Sequence, residues 1–314
     1  MNRYRVPTCS RRLIAAALAL LIAVAAHADP ALKVQKITDS VYALVGPFGN
    51  RSAENLGNNA TFGFIVTDEG VILIDAGGSY MGATMIQAAI AEVTTQPVKI
   101  VINTGGQDHR WLGNGYFKAH GARIISSRRA VEDHKARGRD QLMALNNLVG
   151  LQGMEGTVPV YADEVFDERL DITLGGVILE LHHVGQAHTP GDLFAWLPAQ
   201  SVMFSGDIVY VGRMLGVMPH SNSRAWIETF NAMAAFSPSV IVPGHGPAST
   251  LDEARADTLG YLLSLRGKIS AFMEAGRGIE EVGTLDQSEF AHLVSYDELK
   301  GRNAQQVFQE MEWE

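Results

Sequence analysis

From residue 32 onward the chain sets apolar residues at every second position in short runs, and at helical spacing in longer ones. Residues 32–37 and 40–45 read as strands joined around Asp39, and 61–66 and 71–74 as a hairpin closed by Thr67-Asp68-Glu69-Gly70. A Gly/Asn-rich loop, 46–59, separates the two pairs. Residues 80–93 carry apolar side chains at helix period, and 98–102 form a β-branched run of the buried-strand type, so a β-α-β unit follows. Further on, 111–120 and 128–148 read as helices around a strand at 122–125. Strands are expected at 177–183, 193–197, 202–204 and 240–242, with a helix at 223–235 before the last of them. The tail from residue 252 is mostly helical and ends in an amphipathic stretch, 303–311. With no Pro/Ser-rich linker and no short repeat, this order predicts an α/β, four-layer sandwich with two sheets inside and helices outside.

Residues 1–28 break the pattern. Arg3, Arg5, Arg11 and Arg12 precede an apolar run, 13–26, and Ala26-His27-Ala28 offers small residues at a cleavage site, which is the build of a signal peptide. The run is short and Ala-rich for a permanent span, and no later stretch reaches the roughly 20 apolar residues a membrane helix needs. The mature chain, 29–314, is therefore expected as one periplasmic or secreted domain with no membrane contact. Ser10-Arg11-Arg12-Leu13-Ile14 also forms a partial twin-arginine pattern, and the export route stays open between that system and the general one.

Composition narrows the picture further. Apolar residues make up 46% and charged residues 19% of the 314, enough to bury one large core. Cleavage removes four arginines and no acid, taking the net charge from −9 to −13, so nucleic acid is excluded as an expected partner. The sole cysteine, Cys9, leaves with the leader, and any metal must be held by His, Asp or neutral donors. For association, a homodimer is the general expectation for enzymes of this size.

Candidate chemistry collects in loops at strand ends: Gln107-Asp108-His109, Ala187-His188-Thr189-Pro190-Gly191-Asp192, Ser205-Gly206-Asp207 and Pro243-Gly244-His245-Gly246. Side chains at the ends of several strands can converge on one point from a rigid frame, and imidazole with carboxylate suits a borderline cation such as Zn²⁺. Together with Ile74-Asp75-Ala76-Gly77-Gly78, Asn103-Thr104 and Gly113-Asn114, these segments stand in an order that resembles the metallo-β-lactamase-fold superfamily over essentially the whole mature chain. That resemblance implies an αββα sandwich over 29–314 with a helical C-terminal tail, and a metal-dependent hydrolase that acts on a small molecule.

The family usually carries T-H-x-H-x-D-H after its motif strand, where the first two histidines serve one metal and the Asp-His pair a second. This chain reads Thr104-Gly105-Gly106-Gln107-Asp108-His109-Arg110, so the first site has lost two ligands. Aligned without gaps, His109 falls where Asp stands and Arg110 where His stands. Gly105-Gly106 provide backbone freedom, and the expectation is that the loop re-aims Asp108 and His109 into the second site. Asp108, His109, Asp207 and His245 would then hold one zinc ion, with His188 left as a proton carrier or as the remnant of a weak second metal site. Asp75 is implied as an orienting residue and Arg110 as a clamp. Trp111, Met214, Met218, His220 and Trp226 are expected in the core or along a pocket, whereas His120, His134, His182, His183 and His292 have no motif support. Expected substrates are small esters, thioesters, lactones, β-lactams or halo-aromatics. The alternative is a ligand-binding protein on the same fold that turns nothing over.

Overall fold

The computed structural model describes residue 1 and residues 32–314, so the expected leader lies outside the described residues apart from Met1. The first sheet has seven strands in sequence order: β1 Lys33–Lys36, β2 Val41–Val45, β3 Thr61–Thr67, β4 Gly70–Ile74, β5 Val98–Asn103, β6 Arg123–Ser127 and β7 Glu164–Phe166. It is antiparallel up to β4 and parallel from there on. The second sheet holds β8 Arg169–Leu174, β9 Val177–His182, β10 Phe194–Leu197, β11 Val202–Tyr210 and β12 Val240–His245, in the order β12-β11-β10-β9-β8. The helices are α1 Tyr80–Ala91, α2 Asp108–Trp111, α3 Asn114–Ala119, α4 Arg128–Leu148, α5 Ser223–Ala234, α6 Leu251–Ala254, α7 Gly260–Glu274 and α8 Tyr296–Met311.

The period-2 pattern explains the layering. On β4, Ile72 and Ile74 enter the core between the sheets with Leu179, Leu181, Ala195 and Phe204, while Val71 and Leu73 face outward onto Ile86 and Ile90 of α1. A one-residue slip would exchange the two faces and strand residues worth about 1.5–3 kcal/mol each in burial. The outer face of the second sheet, with Phe194, Trp196 and Met203, packs against Trp226, Phe230, Tyr261 and Phe308 from the C-terminal helices. Two sheets inside and helices outside is thus the architecture, as expected. No helix among the described residues is long and apolar enough to cross a membrane.

Four elements differ from the sequence expectation. β7 and β8 were not anticipated: one is three residues long, and the other, RLDITL, exposes Arg169, Asp171 and Thr173 as an edge strand does. The helix expected at 111–120 is split into α2 and α3, because Gly113 packs so tightly under the Ala76 backbone that no side chain fits. Lastly, β11 runs on to Tyr210 through two register irregularities against β12, around Gly206 and Asp207. Such bulges re-aim side chains.

Helix α4 secures the loop after β5. Gln141 Nε2 donates to the Gly106 carbonyl at 2.8 Å, and the His134 ring stacks on Trp111 while its Nε2–H donates to the Gly105 carbonyl at 3.0 Å. Burial pushes the His134 pKa down from 6.5 to about 3, and its Nδ1 has no partner, so the ring is neutral in the folded protein. The unfolded chain takes up a proton here below about pH 6.5 and the folded one does not, so stability is lost as the pH falls from there towards 3. His134→Phe should therefore flatten the acid limb of denaturant stability by up to ~1.4 kcal/mol per pH unit between pH 6 and 4. Equal slopes in the two proteins would show that His134 does not contribute.

Candidate metal centre

Arg110 is the side chain around which the centre is built. It is fully buried, and each of its five N–H groups meets an oxygen. Nε and Nη2 grip Asp207 at 3.1 and 2.6 Å, Nη1 reaches Asp75 at 2.9 Å and the Thr61 carbonyl at 3.0 Å, and Nη2 also donates to the Gly244 carbonyl at 2.9 Å. Gly244 has to be glycine, since a Cβ there would lie 2.7 Å from Arg110 Nη2. Asp75 ends β4 at φ 68°, a conformation its short polar side chain tolerates, and accepts from the Thr104 amide at 2.7 Å. Burial opposes ionisation of Asp207, but Arg110 and His109 outweigh it and hold the carboxyl well below the usual carboxylate range.

Two imidazoles face the carboxylate that Arg110 holds. His109 Nε2 lies 3.3 Å from Asp207 Oδ2 and His245 Nε2 lies 3.3 Å from Asp207 Oδ1, all three residues being buried. One donor atom from each of them falls within 4.8 Å of the others. His245 Nδ1 sits 3.0 Å from the Asn59 carbonyl, which can only accept, so that nitrogen carries the proton. Burial and the Arg213 charge keep the ring neutral, pushing its pKa well down. Its Nε2 therefore turns a bare lone pair towards a carboxylate oxygen. Two lone pairs at that distance repel, and a cation between them removes the conflict.

Asp108 does not join this group. Its Oδ1 accepts from Arg51 Nη2 at 2.6 Å, from Arg51 Nε at 3.1 Å and from the His109 amide at 2.7 Å, and lies 3.2 Å from His109 Nδ1. It is placed to orient the ring and not to face the cluster. Nor do the glycines undo the one-residue shift, because neither Gly105 nor Gly106 adopts a positive φ. They are there for space: a Cβ on Gly105 would collide with Asp192 Oδ1, and one on Gly106 with Asp133. His109 thus stands at the gapless position, and a neighbouring carboxylate fills the place of the first lost histidine.

His188 lies beyond the cluster. Its Nδ1–H donates to the Gly216 carbonyl at 3.0 Å, and burial pushes its pKa down to about 4, so a neutral ring with a free Nε2 lines the cavity. That cavity, about 190 Å³, is also lined by Asn50, Arg51, Gln107, Tyr210, Arg213 and Met218. Tyr210 stacks on His245 at 4.5 Å, and burial raises its phenol pKa well above the ordinary value, leaving a neutral O–H. Trp111, Met214 and Trp226 are core residues, and His220 is half-buried with its ring centroid 5.9 Å from that of His188. Sequence reasoning passed over Arg51, Tyr210 and Arg213, which occupy loops or strand ends without a motif. The Asn50-Arg51 segment of the Gly/Asn-rich loop was the available signal.

The metallo-beta-lactamase superfamily model matches residues 57–245. The chain belongs to that superfamily. It is 23% identical over 223 residues to a metallo-beta-lactamase type 2 of Elizabethkingia meningoseptica, covering 69% of this chain and 79% of the relative. It is also 24% identical over 181 residues to the 2,4-dinitroanisole O-demethylase subunit alpha of Nocardioides sp. (strain JS1661), covering 57% and 50%. A metallo-beta-lactamase from Pontibacter korlensis superposes with a TM-score of 0.58 at 22% identity, over 74% of this chain and 99% of the other. Family members are metal-dependent hydrolases, and the donor set His109, Asp207 and His245 fits a metal.

Two substitutions examine the arrangement. Arg110→Met leaves Asp75 and Asp207 buried without a cation and should cost about 3–5 kcal/mol in urea denaturation; a loss under ~1 kcal/mol would mean the clamp is not structural. In metal titrations His109→Ala should abolish tight zinc binding, whereas Asp108→Asn should weaken it only about 10–100-fold, as expected of a residue that orients a ligand. Equal losses would place Asp108 on the metal.

Proposed function

We propose that the protein is an exported hydrolase that uses one zinc ion held by His109, Asp207 and His245. The observation that carries this is the bare Nε2 of His245 turned towards Asp207, with its tautomer set by the Asn59 carbonyl. Three protein donors are also the number that leaves a coordination position open, as catalytic zinc sites do and closed structural sites do not. Held there, zinc supplies Lewis acidity, which lowers the pKa of water to about 7 and polarises an electrophile.

The remaining work falls to this chain's own side chains. His188, neutral and with Nε2 facing the cavity, accepts the proton released when water attacks and returns it to the leaving group. The Tyr210 O–H is a neutral donor for a developing oxyanion. Small carbonyl substrates, namely esters, thioesters, lactones and β-lactams, suit this cavity, as do activated halo-aromatics. The relative named as a 2,4-dinitroanisole O-demethylase subunit supports the inclusion of activated aromatic substrates. Export rests on residues 1–28, where basic residues precede an apolar run and a small-residue cleavage site.

The purified chain should bind one zinc per molecule and hydrolyse at least one member of an ester, thioester, lactone, β-lactam and halo-aromatic panel, losing activity to a chelator and regaining it with zinc. His188→Gln should lower kcat by about 10²–10⁴-fold at unchanged zinc content. A zinc stoichiometry near zero after loading would instead support a ligand-binding role without turnover.

A further inference from the structure

The segment between β11 and α5 has to be held from outside. Residues 214–218 lie in no helix or strand, yet Met214, Leu215 and Val217 are buried, so their backbone N–H and C=O groups need partners from elsewhere in the fold. The Val294 carbonyl takes the Met214 N–H at 2.9 Å, and Asn303 on α8 does the rest. Its Oδ1 accepts from Val217 N at 2.8 Å, and its Nδ2 donates to the Leu215 carbonyl at 2.8 Å and to the Tyr261 hydroxyl at 2.9 Å. The Tyr261 O–H donates in turn to Gln287 Oε1 at 3.0 Å, and Gln287 Nε2 to the Lys300 carbonyl at 2.9 Å. Asn303, Tyr261 and Gln287 are all buried, so the amide of Asn303 is oriented by protein groups and not by solvent.

The residue fixed by these bonds is the one between them. The Gly216 carbonyl and the Val217 N–H belong to one planar peptide group and point in opposite directions across it. Asn303 Oδ1 takes the N–H side, and the carbonyl side accepts the His188 Nδ1–H at 3.0 Å. The bond to the Leu215 carbonyl pins the peptide before Gly216 as well, at a residue whose wide backbone range would otherwise let the chain turn. A peptide bonded on both sides is polarised, which strengthens both bonds. The main chain of His188 is held separately, by Ser221 Oγ donating to its carbonyl at 2.8 Å, so the ring nitrogen is the end that Asn303 governs.

We propose that Asn303 is a positioning residue for His188: through the Gly216-Val217 peptide it keeps the proton on Nδ1 and a bare Nε2 towards the cavity. This rests on the hydrolase reading for its meaning in turnover, whereas the tautomer is measurable without zinc and without substrate. In the other tautomer Nε2 carries the proton and cannot accept one from water, so losing the constraint removes the competent form and leaves the ring in place. The C-terminal helices are then part of the working site, although they lie outside the matched residues 57–245.

The test reads the His188 ring by nitrogen NMR in the full mature, metal-free chain with labelled histidine, its signals being identified by their loss in His188→Gln. The parent should show a protonated Nδ1 and a bare Nε2. Asn303→Leu fills the space without hydrogen bonds and should move both signals towards a mixture of tautomers. Asn303→Ser, which admits a water, should shift them in the same direction and keeps the test decisive if the Leu variant fails to fold. Phe308→Leu is the control, because Phe308 packs in the apolar layer of the same helix and offers the loop no hydrogen bond. It should lower the urea midpoint and leave the His188 signals where they are. With zinc and an ester that the parent hydrolyses, Asn303→Leu should lower kcat by up to about 100-fold at unchanged KM, and Phe308→Leu should leave kcat alone. A protonated Nε2 in the parent, His188 signals unchanged in the Asn303 variants, or an equal shift in Phe308→Leu would overturn the assignment. Shifted signals in a chain that hydrolyses no ester would keep the positioning role and remove the hydrolase.

Discussion

The centre depends on one buried guanidinium held between two buried carboxylates. Arg110 spans Asp75, at the end of the first sheet's β4, and Asp207, in the irregular part of β11, and so locks the two sheets together at the edge where the donors converge. Burying three charges is expensive, and here it is tolerated because every guanidinium N–H is bonded. One cation against two carboxylates still leaves a net negative charge in a water-poor place. A divalent ion beside Asp207 fits that imbalance, and the bare Nε2 of His245 faces the same place.

The C-terminal layer has a part in this geometry as well as in covering the second sheet. Asn303 on α8 holds the chain at Leu215 and Val217, and between these lies Gly216, whose carbonyl sets the tautomer of His188. Asn303 Nδ2 also donates to the Tyr261 hydroxyl, so α7 enters the same network. The orientation of His188 therefore passes through two helices that follow the matched region. Of these two helices, α8 also brings Leu299 and Arg302 to the cavity.

The reduced first half of the centre is closed by packing and not merely emptied. Asp192 fills the space next to Gly105 and accepts from the Thr189 amide at 2.7 Å, and its pKa is pushed up to about 8 by burial and by the Asp207 charge. Gly106 is backed by Asp133, and its amide donates to Thr189 Oγ1 at 2.9 Å. A histidine returned to position 105 would meet the Asp192 carboxylate before reaching any metal. The substitution pattern and its surroundings form one packed unit.

Sequence alone determined the layers and most of the elements, because strand alternation and helix period are local signals that burial enforces: Ile72 and Ile74 turn inward and Val71 and Leu73 outward whatever else the chain does. It also located the loops bearing His109, His188, Asp207 and His245, since their order along the chain does not depend on geometry. It did not determine which of two adjacent residues, Asp108 or His109, faces the cluster. A turn of loop separates those outcomes, and the choice was made by Arg51 drawing off Asp108 and by the lack of room for side chains at Gly105 and Gly106. Arg51, Arg213 and Arg302 likewise come together only in the folded chain, from a loop, a strand end and a distant helix. Charge complementarity between segments so far apart leaves no period in the sequence, and only tertiary structure reveals which arginines have found a partner and which have not.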